Sequence, residues 1–160
     1  MPSRGRISAG LMMYRHNGGA LDVFLVHPGG PFFANRDEGC WTIPKGLPEE
    51  DEALQATAIR EFQEETGVDA SPPYLPLGSI RQRGGKTVHA WAFEGEWPEG
   101  HVLNSNTFTL EWPRGSGQMQ TFPEVDQGQF FDVATARQKI NAAQADLIDR
   151  LQEQLASGTD

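Results

Sequence analysis

GLPEEDEALQATAIREFQEETGV, residues 46–68, decides how this chain is read. The run carries seven carboxylates (Glu49, Glu50, Asp51, Glu52, Glu61, Glu64 and Glu65) in 23 residues. Like charges four apart destabilise a helix by about 0.2–0.5 kcal/mol per pair, so the cluster asks for a positive counter-charge. A hard divalent cation such as Mg²⁺, held by oxygen ligands, supplies one. At about 100° per residue, Glu61, Glu64 and Glu65 fall within an arc of roughly 100°. Ile59, Phe62 and Thr66 fall on an adjacent arc and are expected to bury against a core. Arg60 lies outside both arcs, beside Glu61 and Glu64, where a forked hydrogen-bond pair would orient a carboxylate. Gly67 is expected to end the helix in the left-handed conformation. The bland alternative is a solvated acidic surface helix.

The spacing sets that alternative aside. The run resembles the signature of the Nudix hydrolase family, G-x5-E-x7-R-E-U-x-E-E-x-G-U with U apolar. Gly46, Glu52, Arg60, Glu61, Glu64, Glu65 and Gly67 match its fixed positions, and Phe62 and Val68 fill its apolar ones. Phe62 departs mildly from the aliphatic residue usual there. The resemblance implies an α/β/α sandwich with a mixed sheet and the signature as a loop–helix–loop. It implies hydrolysis of a nucleoside diphosphate linked to another group, with Mg²⁺ or Mn²⁺ as cofactor. Glu61, Glu64 and Glu65 carry over as metal ligands, the carbonyl of Gly46 as a further one, and Arg60 as the group that orients Glu61. Glu61 or Glu64 is also a candidate base. Glu52 is expected to support the loop or act through water. Outside the signature, Glu124 in the Pro-bearing turn FPEVD is the best candidate base, ahead of Glu111 and Asp126.

The remaining composition fits one soluble domain over residues 1–160. Hydrophobic content of 38% and charged content of 22% are those of a globular protein. No apolar stretch approaches the ~20 residues of a membrane span. The N-terminal MPSRGRISAGLMMYR lacks an apolar stretch followed by a small-residue cleavage site, so a cytoplasmic location is expected. The single cysteine, Cys40, excludes an internal disulfide and suits a reducing compartment. A net charge of −9 argues against binding a long nucleic-acid backbone, while small phosphorylated nucleotides remain open because they can arrive as metal complexes.

Along the chain, residues 7–15 and 21–27 read as strands joined by a turn at Asn17-Gly18-Gly19. Residues 28–39 read as a Gly/Pro-rich loop, 41–43 as a short strand, and 53–66 as the signature helix. Residues 75–81 and 87–96 read as a hairpin around Gly84-Gly85. Residues 108–112 and 118–122 read as two further strands, and 129–132 as a short apolar patch. Residues 134–155 read as one or two helices with Ile140, Leu147, Ile148, Leu151 and Leu155 as their apolar stripe. Residues 157–160 are expected to fray. This order of mixed strands and helices fits an α/β sandwich.

Several residues around the signature are candidates for substrate binding. Lys45, just before Gly46, is placed to meet a phosphate. His27 opens a loop in which Phe32 or Phe33 would stack on a base. Arg36, Arg81, Arg83, Lys86 and His89 are further candidate phosphate contacts. His27, His89 and His101 lack metal-ligand spacing, which argues against a histidine-bound zinc site. A phosphate-binding G-x-x-x-x-G-K-[ST] loop and a G-x-S-x-G serine elbow are both absent.

Residues 41–46, WTIPKG, resemble the lead-in of Nudix enzymes that act on dinucleoside polyphosphates and diphosphoinositol polyphosphates. The tyrosine expected of the former group after the signature is missing, and Arg83 replaces the proline of ADP-ribose-cleaving members. Dinucleoside polyphosphates or (deoxy)nucleoside triphosphates are the expected substrates of a monomer or homodimer. The alternatives are a non-catalytic Nudix-fold binding or regulatory module, which would lose metal carboxylates, and a Nudix-fold isomerase, which would pair its cysteine with a histidine cluster.

Overall fold

In the computed structural model, residues 6–157 are described. The chain runs β1 (Ile7–Asn17), β2 (Ala20–Pro28), β3 (Lys45–Gly46), α1 (Leu54–Thr66), β4 (Leu75–Arg81), β5 (Thr87–Glu94), β6 (Thr107–Glu111), β7 (Met119–Pro123), β8 (Val125–Asp132), α2 (Val133–Lys139) and α3 (Ala145–Ser157). A six-stranded sheet has the order β4-β5-β1-β2-β8, with β3 paired to β1. β1 and β5 run parallel, and the other pairs in this sheet are antiparallel. The sheet is therefore mixed, as expected. Beyond Ser157, the expected frayed end lies outside the described residues.

Period-two alternation explains the layers. In β1, Ala9, Leu11 and Met13 face α1, while Met12 and Tyr14 face the C-terminal helices. β2 does the same with Phe24 and Val26 against Val23 and Leu25. On the α1 side, Ala58 and Phe62 complete a cluster with Val68, Phe93 and Val125. On the other, Ala136, Ile140, Leu147, Ile148 and Leu151 pack on the sheet. The result is an α/β/α sandwich with one core on each face of the sheet.

Several expected elements shift for local reasons. The strand expected at 41–43 reduces to single bridges, Val26 to Thr42 and Trp41 to Ile140. Pro44 cannot donate to a ladder, and regular pairing resumes only at Lys45–Gly46. The patch at 129–132 is the end of an eight-residue strand, β8, paired to β2 from Asp22–Asp132 onward. β6 and β7 form where two further strands were expected, and they pair with each other in a separate two-stranded sheet. The C-terminal helical region divides in two. Asp132 caps α2 by accepting from Thr135 N–H at 2.7 Å, and Asn141 accepts from Ala143 N–H at 2.9 Å in the connecting turn.

Candidate active site

Helix α1 begins without a side-chain cap, at Ala53, and ends where Gly67 (φ 80°) turns left-handed and donates to Gln63 O at 2.7 Å. It is held by its buried face. Phe62 is fully buried, with ring contacts to Phe24 at 6.4 Å and Phe93 at 5.1 Å between centroids. That aromatic trio gives a physical reason for the aromatic residue at this signature position.

The outward face carries the carboxylates, and Arg60 organises them. Its Nε and one terminal nitrogen donate to Glu52 at 2.9 and 2.8 Å. Its other terminal nitrogen donates to Glu61 Oε1 at 2.9 Å and Glu64 Oε2 at 2.7 Å. A fifth bond reaches Leu47 O at 3.0 Å. Arg60 thus bridges three carboxylates rather than Glu61 alone. Glu52 also accepts from Thr57 Oγ1 at 2.7 Å and Glu49 N–H at 3.0 Å, so it pins the loop to the helix. The Arg60 fork and these donors hold its carboxyl down to about 2.

Glu65 faces inward, is 9% exposed and accepts from the Lys45 backbone N–H at 2.6 Å. Burial pushes its carboxyl up to about 8, against the opposing pull of Lys45. Glu61 is also pushed up, by burial and then by the neighbouring Glu64. A Cβ on Gly46 would overlap the Glu61 carboxyl group, so only glycine lets this carboxylate lie against the β3 backbone.

Among the described residues, no three acidic, histidine or cysteine side chains already converge as an ion cage. Arg60 draws Glu61 and Glu64 to itself, and Glu65 turns toward β3. The donors are nevertheless of one kind. They are oxygens, crowded and partly desolvated, which is the chemistry that suits a hard divalent cation. The residues present therefore fit Mg²⁺ or Mn²⁺.

Glu65 opens onto a cavity of about 470 Å³ that Lys45, Glu124, Phe33 and Arg36 also line. Glu124 arrives from the β7–β8 turn, where its N–H donates to Asn106 O at 2.8 Å and its carbonyl accepts from Gly29 N–H at 2.9 Å. Its charge acts on both Glu61 and Glu65. Segment 41–44 sets Lys45 in place. It is clamped between Val26 and the C-terminal turn, and Ile43 N–H donates to the buried Gln144 Oε1 at 3.1 Å.

His27 is the exception among the sequence candidates. It is buried, with Nδ1 2.7 Å from Asp126 and Nε2 2.7 Å from Arg36 O. Both ring nitrogens are committed, so His27 braces the 28–39 loop instead of offering a nitrogen to a substrate. The sequence reading missed Asn106, whose side-chain amide donates to Glu64 Oε1 at 3.3 Å. It lies 42 residues away, and no spacing links the two.

Three comparisons with known proteins bear on this arrangement. The sequence matches the NUDIX domain over residues 4–151. Over 28 residues it is 64% identical to the mRNA-decapping protein g5R of African swine fever virus, covering 18% of this chain and 11% of that protein. The chain thus spans about a tenth of the length of the curated relatives it matches. In fold it is similar to an Ap4A hydrolase of C. elegans in a binary complex, with TM-score 0.66 and 21% identity, covering 94% of this chain and 98% of the other. It is similarly close to the NUDIX domain of Shewanella oneidensis NrtR complexed with ADP ribose, with TM-score 0.65 and 20% identity, covering 93% and 87%. A family match over nearly the whole chain shows that this protein belongs to the NUDIX domain family.

Proposed function

We propose that the chain is a Nudix hydrolase that adds water across a phosphoric anhydride bond. Its substrate is a nucleoside diphosphate linked to another moiety, most often a dinucleoside polyphosphate or a (deoxy)nucleoside triphosphate. One observation carries this reading. The three signature carboxylates remain, and Glu65 opens onto the same cavity as Lys45, Arg36 and Glu124. The fold likeness to an Ap4A hydrolase and to an ADP-ribose complex is consistent with a nucleotide ligand.

Glu61, Glu64, Glu65 and the Gly46 carbonyl would hold Mg²⁺ or Mn²⁺. When bound, the cation supplies Lewis-acid polarisation of the anhydride oxygens and offsets their charge. The chain's own groups do the rest. Arg60 keeps Glu61 and Glu64 aligned through its hydrogen bonds. Lys45 and Arg36 bind phosphate oxygens, and Phe33 lies against the base. Glu124, or a signature carboxylate, accepts the proton of the attacking water. His27 acts at one remove, by holding the loop that carries Phe33 and Arg36.

A single domain, acting as a monomer or homodimer in the cytoplasm, completes the proposal. The lone cysteine suits a reducing compartment. No described helix is long and apolar enough to cross a membrane. The test is phosphate-product release with and without Mg²⁺ on dinucleoside polyphosphates, canonical and oxidised dNTPs, ADP-ribose, NADH and a diphosphoinositol phosphate. Mg²⁺-dependent cleavage of one class supports the reading and names the substrate. A silent panel with nucleotide still bound would replace it with a binding module.

A further inference from the structure

Lys45 has a second side. Besides the cavity shared with Glu65, it lines a smaller hollow of about 200 Å³ bordered by Arg6, Ser8, Gly46 and Lys86. Among the described residues, no acidic residue lines this hollow. The topology builds it. β1 and β5 run parallel from Ile7 opposite Thr87, which brings the residues just before them, Arg6 and Lys86, to one end of the sheet. β3 pairs with β1 and sets Lys45 opposite Gly10.

Three basic residues thus line one hollow, with no acidic residue among its described lining, in a chain of net charge −9. Among the described residues, none of them takes part in a salt bridge. Arg6 donates to the carbonyl of Gly84, and no hydrogen bond joins the two lysine side chains to a described acceptor. Gathered cations of this kind are stabilised by a bound anion, which a guanidinium grips with its fork and a lysine as a point charge. The hollow is smaller than the roughly 300–1,000 Å³ of a typical ligand pocket, so it suits one phosphate group and not a nucleoside.

We propose that this hollow is an anion subsite for a phosphate of the substrate lying beyond the anhydride that is cleaved. The chain then favours substrates with three or more consecutive phosphates over simple diphosphates. Gly46 connects the two places: its Cα lies against the Glu61 carboxyl on one side and borders the hollow on the other. A phosphate chain engaged by the signature carboxylates through a cation therefore reaches Arg6 and Lys86 by passing Lys45. The assignment of this phosphate to the substrate rests on the hydrolase reading.

The test has a binding arm and a kinetic arm. Calorimetry without Mg²⁺ follows tripolyphosphate binding to the wild type, Arg6→Ala, Lys86→Ala and Lys86→Glu. Arg114→Ala, an exposed cation in the β6–β7 turn, controls for bulk charge. Each subsite variant should weaken binding by about tenfold, the size of one charge-assisted contact, and Arg114→Ala by less than about twofold. In the kinetic arm, the ratio of kcat/KM for a dinucleoside tetraphosphate over ADP-ribose should fall by a similar factor in Arg6→Ala and Lys86→Ala. Unchanged tripolyphosphate affinity in the subsite variants, or equal weakening in Arg114→Ala, overturns the subsite. A wild type that cleaves no substrate of the full panel sinks the hydrolase reading instead, while the binding series still decides whether the anion site exists.

Discussion

Arg60 has five N–H donors, and all five are used, on Glu52 twice, Glu61, Glu64 and the Leu47 carbonyl. The guanidinium therefore stands where a solvated acidic helix would have only water. Glu52 takes the forked share and is held down to about 2, against an ordinary value of 4.5. Its contribution to stability is fully present above pH 4.5 and fades as the pH falls toward 2. Glu52→Gln should lose about 1–3 kcal/mol at neutral pH, because two charged donors lose their anionic partner. Urea titrations at several pH values should show the gap between wild type and variant closing below about pH 4. A gap of constant size from pH 7 to pH 3 would contradict the assignment. The sequence showed that Arg60 and Glu52 belong to one motif. It could not show that they bond each other, because eight residues and a loop–helix corner separate them. His27 is the converse case. Its place at a strand end was legible, but the two acceptors that occupy its ring come from Asp126 and from the Arg36 backbone.

At the scale of elements, the signature helix, β1, β2 and the β4–β5 hairpin were legible because periodicity and turn residues mark them locally. The strand β8 was less so. Its alternation is broken by Gly128 and by exposed Gln127 and Gln129, and pairing with β2 makes it a strand. The 41–44 segment depends on tertiary partners still more. Gln144, fully buried and 101 residues away, accepts the Ile43 N–H and donates to Gln82 at 3.1 Å. Gln144→Leu keeps the volume and leaves a buried N–H without its partner, at a cost of about 1–3 kcal/mol. For a chain of this size that is a fall in Tm of roughly 2–4 °C per kcal/mol. Because the segment carries Lys45, KM should rise by a larger factor than kcat falls. A variant with wild-type Tm and KM would show that the clamp does not position Lys45.

Lys45 stands between two hollows, one lined by Glu65 and Glu124 and the other by Arg6 and Lys86. An α/β sandwich was legible from the order of elements and its α/β/α form from the resemblance of the signature, and the family match supports it over residues 4–151. The approach of Asn106 and Glu124 to the site was not, since each comes from a connection far from the signature in sequence, and the two are joined by the Glu124 N–H to Asn106 carbonyl bond. The carboxylate cluster of the signature is strained without a cation, so a divalent ion that binds the folded form selectively should stabilise it. Millimolar Mg²⁺ should raise Tm in a calorimetric scan, through a stabilisation of RT ln(1 + [L]/Kd), about 2.7 kcal/mol at a hundredfold excess over Kd. Glu65→Gln should blunt that rise. An identical melting curve with and without Mg²⁺ would speak against a cation site in the signature.

The most direct test of the central claim is turnover of the best panel substrate by wild type, Glu64→Gln and Glu65→Gln, each with and without Mg²⁺. Wild type should release phosphate product only with Mg²⁺. Each variant, folded and melting within a few degrees of wild type, should lose several kcal/mol of transition-state stabilisation, about 10²–10⁴ in rate. Near-wild-type turnover in both variants, or full wild-type turnover without a divalent cation, would contradict the account.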